Sequence, residues 1–128
     1  MLRAAYALVL AIAGALALPA AGAADAGERL ALVIGQSAYR AVAPLPNPAN
    51  DAKAVAEMLE QAGFEVTAAA DLSQNELRAS VGAFAARLAA KGPDTVALMF
   101  YAGHGIQVDG ENYLIPVDVD PKRETDVP

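Results

Sequence analysis

Apolar residues enter this chain in two different rhythms. Leu30-Ala31-Leu32-Val33-Ile34 is an unbroken run closed by Gly35, and Val96 to Tyr101 is a second uncharged run. Each has the length and β-branched or aromatic content of a strand covered on both faces. Between them the spacing changes. Ala52, Val55, Ala56, Leu59 and Ala62 recur at helical intervals, which predicts a helix from about Asn50 or Asp51 to Gln61, ended at Gly63. Phe64, Val66 and Ala68 then alternate with Glu65 and Thr67, the pattern of a strand over Phe64 to Ala70. Ser73-Gln74-Asn75-Glu76 is a capping box, and Leu77, Val81, Phe84, Ala85 and Leu88 form the expected buried stripe of the helix it starts, which Lys91-Gly92-Pro93 stops. Gly82 inside that helix costs up to about 1 kcal/mol relative to alanine, so a close packing contact is expected there.

Strand, helix, strand, helix, strand is a βαβαβ unit, and the expected sheet is mainly parallel with right-handed crossovers. A fully apolar third strand calls for a neighbour on each side, and these elements supply too few strands to provide one. Three prolines, Pro44, Pro46 and Pro48, hold the connection before the first helix extended. After Tyr101 the apolar run stops at Gly103-His104-Gly105. Ile106 to Val108 and Asn112 to Ile115 follow as a short hairpin around Asp109-Gly110-Glu111, closed by Pro116, and Asp118 to Pro128 is expected to be polar loop.

The N-terminal hydrophobicity belongs to a different category. Arg3, an apolar stretch from Ala4 to Leu18, the break at Pro19 and the small-residue pattern Ala21-Gly22-Ala23 read as a cleaved secretory signal over residues 1–23. That leaves a domain over residues 24–128 in the periplasm or outside the cell, with no stable membrane span. The leader inflates the 55% hydrophobic content. A net charge of −6 without basic clusters argues against nucleic acid as a partner. With no cysteine and one histidine, the sequence makes no case for a disulfide or a transition-metal site. Gly35 opens GQSAYRAV, which has neither a G-x-G-x-x-G spacing nor a P-loop lysine and hydroxyl.

The remaining chemistry converges on His104, flanked by glycines at the expected C-terminal lip of a strand, where ligands gather in open α/β sheets. An imidazole, with an ordinary pKa near 6.5, suits proton transfer close to neutral pH. YAGHG followed by Asp109-Gly110 and NYLIPVD resembles the histidine segment of the caspase-like cysteine peptidases, peptidase C14, particularly the bacterial metacaspase or orthocaspase branch. LALVIGQSAY (Leu30 to Tyr39), LPNPANDA (Leu45 to Ala52) and AGFEVTAAADLSQNEL (Ala62 to Leu77) are similar, in family order, to its first strand, the loop into its first helix, and its second strand with the next helix start.

The resemblance implies a three-layer, doubly wound α/β fold, here the N-terminal p20-like part and incomplete at its C-terminus. It implies a cysteine-type endopeptidase cutting after Arg or Lys, with a peptide or protein as substrate. His104 would be the catalytic imidazole and the Gly105 N–H the oxyanion donor, since a glycine lets the substrate carbonyl approach the backbone. Asp51 has two readings. It is a first-turn carboxylate that caps the helix, and by the resemblance it lines an acidic S1 pocket. Ala102 stands where many relatives carry serine, which removes one polar group from that pocket. The nucleophile is expected on a further strand ending Asp-x-Cys, so the histidine half alone is expected to be inert, its partner being a Cys-bearing remainder of the domain. No cofactor is expected; calcium activates some relatives, but Asp118 and Asp120 on a loop fall short of the six to eight oxygens of a calcium site. Two other readings stay open: a non-catalytic domain that binds a peptide or protein through the same crevice, and an incomplete product that does not fold stably.

Overall fold

The computed structural model describes residues 27–122, together with the backbone of residues 6–7 and 10–13. The motif Ala21-Gly22-Ala23 of the expected signal lies outside the described residues. Two short stretches of that N-terminal region are strands, β1 (Tyr6–Ala7) and β2 (Leu10–Ala13). The domain then runs β3 (Arg29–Gly35), α1 (Pro48–Gln61), β4 (Glu65–Ala70), α2 (Gln74–Ala89), β5 (Val96–Ala102), β6 (His104–Val108) and β7 (Glu111–Leu114).

The main sheet has the order β2-β5-β3-β4. β3 lies parallel to both β4 and β5, with Gly35 in register with Ala70 on one side and Ala102 on the other. All three strands therefore end at one lip. Side chains of a strand alternate between its faces, and β3 uses both. Leu30, Leu32 and Ile34 pack with Leu77 and Phe84 of α2 and with Tyr101, whereas Ala31 and Val33 pack with Leu59 of α1, joined by Val55, Leu98 and Phe100. The result is the expected helix–sheet–helix sandwich around one central strand. Every residue of β3 after Arg29 is buried, each large side chain contributing about 1.5–3 kcal/mol.

Several local expectations change. α1 starts at Pro48, two or three residues early, because proline fits the first turn of a helix, where its missing N–H is not needed. β5 is buried only at Tyr101 and Ala102, and Val96 at its start is 44% exposed; the two-sided cover belongs to β3. The outer neighbour of β5 is the antiparallel β2, which spans Leu98 to Tyr101 only. In α2, Val81 and Ala85 face solvent, because the helix buries a narrow stripe through Leu77 and Phe84. A methyl group added at Gly82 would meet no atom within 4 Å, so the expected close packing is absent there. The chain also continues past the histidine with little interruption: Gly103 is a single bend between β5 and β6. The hairpin turn is the two residues Asp109 and Gly110, with φ of 51° and 85°, as a type I′ turn requires. Finally, the segment after Asp118 is not wholly solvated. Val119 is buried, and Val117, also buried, joins Tyr39 and Ile115 in a third apolar cluster.

Candidate functional site

The C-terminal lip of the sheet is built from polar groups that reach across long stretches of sequence. Gln36, directly after β3, is fully buried. Its side-chain amide mimics a backbone partner: Nε2 donates to the Leu72 carbonyl at 2.8 Å, and Oε1 accepts the Leu72 N–H at 2.7 Å. Asp71, at the end of β4, takes a left-handed conformation with φ of 53°, which aspartate tolerates better than most residues. From there its Oδ1 accepts the N–H groups of both Ser37 and Ala38 at 2.8 Å. Ser37 in turn presents Oγ to the Ala49 N–H at 3.1 Å, satisfying an orphan donor of the first turn of α1. The loop from Ser37 to Asn47 is thus pinned at both ends.

That loop holds the imidazole. His104 Nε2 lies 3.0 Å from the Ala43 carbonyl oxygen. A carbonyl can only accept, so Nε2 carries the proton, and in the neutral ring Nδ1 is left with its lone pair. Nδ1 is buried and has no hydrogen-bond partner among the described residues. The Tyr39 ring packs edge-on against the imidazole, with centroids 4.6 Å apart and planes at 64°. A buried acceptor with no donor is uncommon and asks for an explanation.

Gly103 has a role other than admitting a ligand. An ideal Cβ built on it would stand 2.6 Å from the Tyr39 hydroxyl, 2.7 Å from the Tyr101 hydroxyl and 2.9 Å from Gln36 Cβ. The bend is made of glycine because two tyrosines and a glutamine close over it. Gly105 is buried in β6, opposite Leu114 on one side and Tyr6 on the other. The His104 carbonyl accepts the Ile115 N–H, so by the alternation of an antiparallel ladder the Gly105 N–H is turned the other way, to the edge paired with Tyr6.

Asp51 sits on the first turn of α1, which abuts Gly35 at the end of β3, so it shares the lip with His104. Of its first reading one half holds: the carboxylate lies in the first turn, where it complements the macrodipole, but it makes no cap hydrogen bond. Asn47 is the N-cap residue, and Asp51 lies four positions further on, beyond the orphan N–H groups that a cap satisfies. The side chain is exposed, and no described contact joins it to His104. Asp118 is also accounted for, since its Oδ1 accepts the Gln74 N–H at the start of α2; Asp120 Oδ1 accepts from the Lys122 N–H. Among the described residues no group of three His, Cys, Asp or Glu is placed to hold a metal. A shallow depression at the opposite end of the sheet, lined by Gly27, Glu28, Gly92, Asp94 and Thr95, contains no imidazole.

A family comparison decides what this frame is. The caspase domain, peptidase family C14, matches residues 28–126. The chain belongs to the caspase domain family. It is 36% identical over 93 residues to the human mucosa-associated lymphoid tissue lymphoma translocation protein 1, an alignment covering 73% of this chain and 11% of that protein. It is 33% identical over the same length to the mouse homolog of that protein. The chain therefore spans about a tenth of the length of these curated relatives. Its caspase domain places it in relation to a protease family, and it contains no cysteine. No helix among the described residues is long and apolar enough to cross a membrane.

Gln36, Tyr39, Asp71 and the Ala43 carbonyl were not legible as site groups in the sequence. Only Gln36 left a trace there, as a polar residue abutting a five-residue apolar run and Gly35.

Proposed function

We propose that this chain is the histidine-bearing part of a cysteine-type endopeptidase of the caspase type, of the metacaspase branch and corresponding to the N-terminal p20-like segment, cleaving after Arg or Lys. The observation that carries the reading is the orientation of His104. With Nε2–H committed to the Ala43 carbonyl, Nδ1 is the nitrogen free to exchange a proton with a thiol and then with a leaving amine. The Gly105 N–H points toward β1 and not toward the hairpin, so removal of residues 1–23 would free it to act as the oxyanion donor. Asp51 supports the basic P1 preference as an exposed carboxylate on the same lip without another bonding role. With no cysteine in the chain, acyl transfer through a thioester has no nucleophile, and the polypeptide by itself is inert. Residues 1–23 act as a signal that takes the domain to the periplasm or outside the cell.

The test pairs two preparations. Purified 1–128 should leave fluorogenic Arg and Lys peptides uncut. The same chain combined with a Cys-bearing remainder of a caspase-type domain should cut them, and His104→Ala should lower that turnover by about 10²–10⁴. Turnover by 1–128 that survives thiol blockers would contradict the reading. So would a complemented enzyme indifferent to His104→Ala. Peptide binding without cleavage by the complemented chain would instead favour a non-catalytic domain using the same crevice.

A further inference from the structure

Tyr39, in the loop after β3, and Tyr101, near the end of β5, are 62 residues apart, yet their hydroxyls meet 3.2 Å from each other beneath Gly103. Each hydroxyl has one proton, and the surrounding groups decide where both go. The Tyr101 hydroxyl lies 2.9 Å from the His104 carbonyl and 3.1 Å from the Ile115 carbonyl, and both of these can only accept. Its single proton is committed to them. Between the two tyrosines, Tyr39 must therefore be the donor and Tyr101 the acceptor. The Tyr39 oxygen is in turn the acceptor of the His104 N–H at 2.7 Å.

The direction of every bond is fixed by this accounting. It runs from the His104 N–H to the Tyr39 oxygen, from the Tyr39 O–H to the Tyr101 oxygen, and from the Tyr101 O–H to the carbonyls of His104 and Ile115. The circuit begins and ends on His104 and clamps both of its main-chain polar groups. Tyr39 adds a second hold, since its ring is the edge-on neighbour of the imidazole. Burial pushes both hydroxyls above their ordinary titration range, so the circuit stays protonated at neutral pH.

We infer that Tyr39 is a positioning residue for His104: it accepts the His104 N–H, hands its own proton to Tyr101, and keeps the ring at the angle that commits Nε2 to the Ala43 carbonyl. Tyr101 is the second, weaker member, because it holds the His104 carbonyl, which also accepts the Ile115 N–H. The two tyrosines are chemically alike, yet the direction of the circuit makes their loss unequal. Tyr39→Phe leaves the His104 N–H without its acceptor. Tyr101→Phe leaves that bond in place; it frees the His104 carbonyl, which has another donor, together with the Ile115 carbonyl and the Tyr39 O–H, neither of which is a main-chain group of His104.

The inference rests on the peptidase reading for the importance of the ring, but its test reads the ring directly. His104 is the only histidine, so long-range ¹⁵N–¹H correlation of its side chain in the full chain gives one unambiguous pattern. In the unaltered protein at about pH 8.5, where an ordinary imidazole is neutral, the Nε2–H tautomer should predominate. Tyr39→Phe should bring the two tautomers to comparable populations and speed exchange of the His104 amide proton by at least about 10-fold, equivalent to 1.4 kcal/mol. Tyr101→Phe should keep the Nε2–H tautomer and change that exchange less than 3-fold. Tyr113→Phe, on the exposed hairpin, should alter neither. Equal effects of the two buried substitutions, or an unchanged pattern in Tyr39→Phe, overturn the assignment. Should Tyr39→Phe fail to fold, the unaltered protein and Tyr101→Phe still decide: mixed tautomers in either one overturn it. Peptide hydrolysis plays no part in these readings, so failure of the peptidase assay and failure of the positioning role are separate results.

Discussion

Alanine placed at two glycines of this domain should act with opposite sign, and the structure gives both magnitudes. At Gly103 the new methyl carbon would stand 2.6 and 2.7 Å from two buried tyrosine hydroxyls and 2.9 Å from Gln36 Cβ. None of these is the free end of a flexible chain, because each group is hydrogen-bonded in place. Overpacking of this kind costs about 1–3 kcal/mol, and parting the hydroxyl pair costs about 1 kcal/mol more. Gly103→Ala should therefore destabilise by about 2–4 kcal/mol. With a urea m value of about 1–3 kcal/mol/M, its denaturation midpoint should fall by about 0.7–4 M. At Gly82 the same methyl group meets nothing within 4 Å, on the exposed face of α2. There only the helix propensity changes, and Gly82→Ala should stabilise by about 0.8–1 kcal/mol, raising Tm by about 3–8 °C for a domain of this size. Urea and thermal unfolding followed by circular dichroism measure both. A Gly103→Ala protein within about 0.5 kcal/mol of the original would refute the packing described around the bend.

Three further outcomes are expected. Asp71→Ala removes the acceptor of the Ser37 and Ala38 N–H groups and places alanine at positive φ, costing about 2 kcal/mol, whereas Asp71→Asn, which tolerates that backbone and keeps one oxygen, should lose about half as much in chemical denaturation. Tyr39 and Tyr101 titrate above their ordinary range because they are buried. The stability they contribute is complete below about pH 10 and is lost as pH rises from there toward their folded values, so melting temperature should drop on the alkaline side. A flat profile from pH 9 to 11.5 would contradict this. Hydrogen bonds from the Ser73 hydroxyl and N–H hold the Glu76 carboxyl below its usual range, so its contribution is present above that range and fades as acid titrates it through the lowered value. Ser73→Ala should flatten that acid limb and cost about 1 kcal/mol at neutral pH.

The sequence was legible where the pattern is local or repeats. The unbroken run of β3, the capping box of α2 and the 3.6-residue spacing of α1 each report their own secondary structure, and their order implies the layered parallel sheet that is found. His104 was legible because a lone histidine between glycines at a strand end is conspicuous. What supports His104 was not. Asp71 reaches Ser37 across 34 residues, Gln36 reaches Leu72 across 36, and His104 reaches Ala43 across 61; no periodicity records such pairings. Tyr101 counted as one more apolar position of a strand, although its hydroxyl is the part that matters. β5 has a composition matching that of β3, which implies the same cover on both faces. Among the described residues its outer neighbour is β2, paired with Leu98 to Tyr101, and the start of the strand at Val96 and Ala97 is exposed. Val117 and Val119 lack a helical or strand rhythm, yet both are buried, Val117 against Tyr39, Ile115 and the Val42 and Leu45 side chains of the preceding loop.

The account stands or falls on which nitrogen of His104 carries the proton in the unaltered chain. At about pH 8.5, well above the ordinary imidazole titration near 6.5, ¹⁵N–¹H spectra should show a proton on Nε2 and an unprotonated Nδ1. A ring protonated on Nδ1, or averaging freely between the two forms, would mean that the Ala43 carbonyl does not hold the imidazole and that no base is presented at the lip of this sheet.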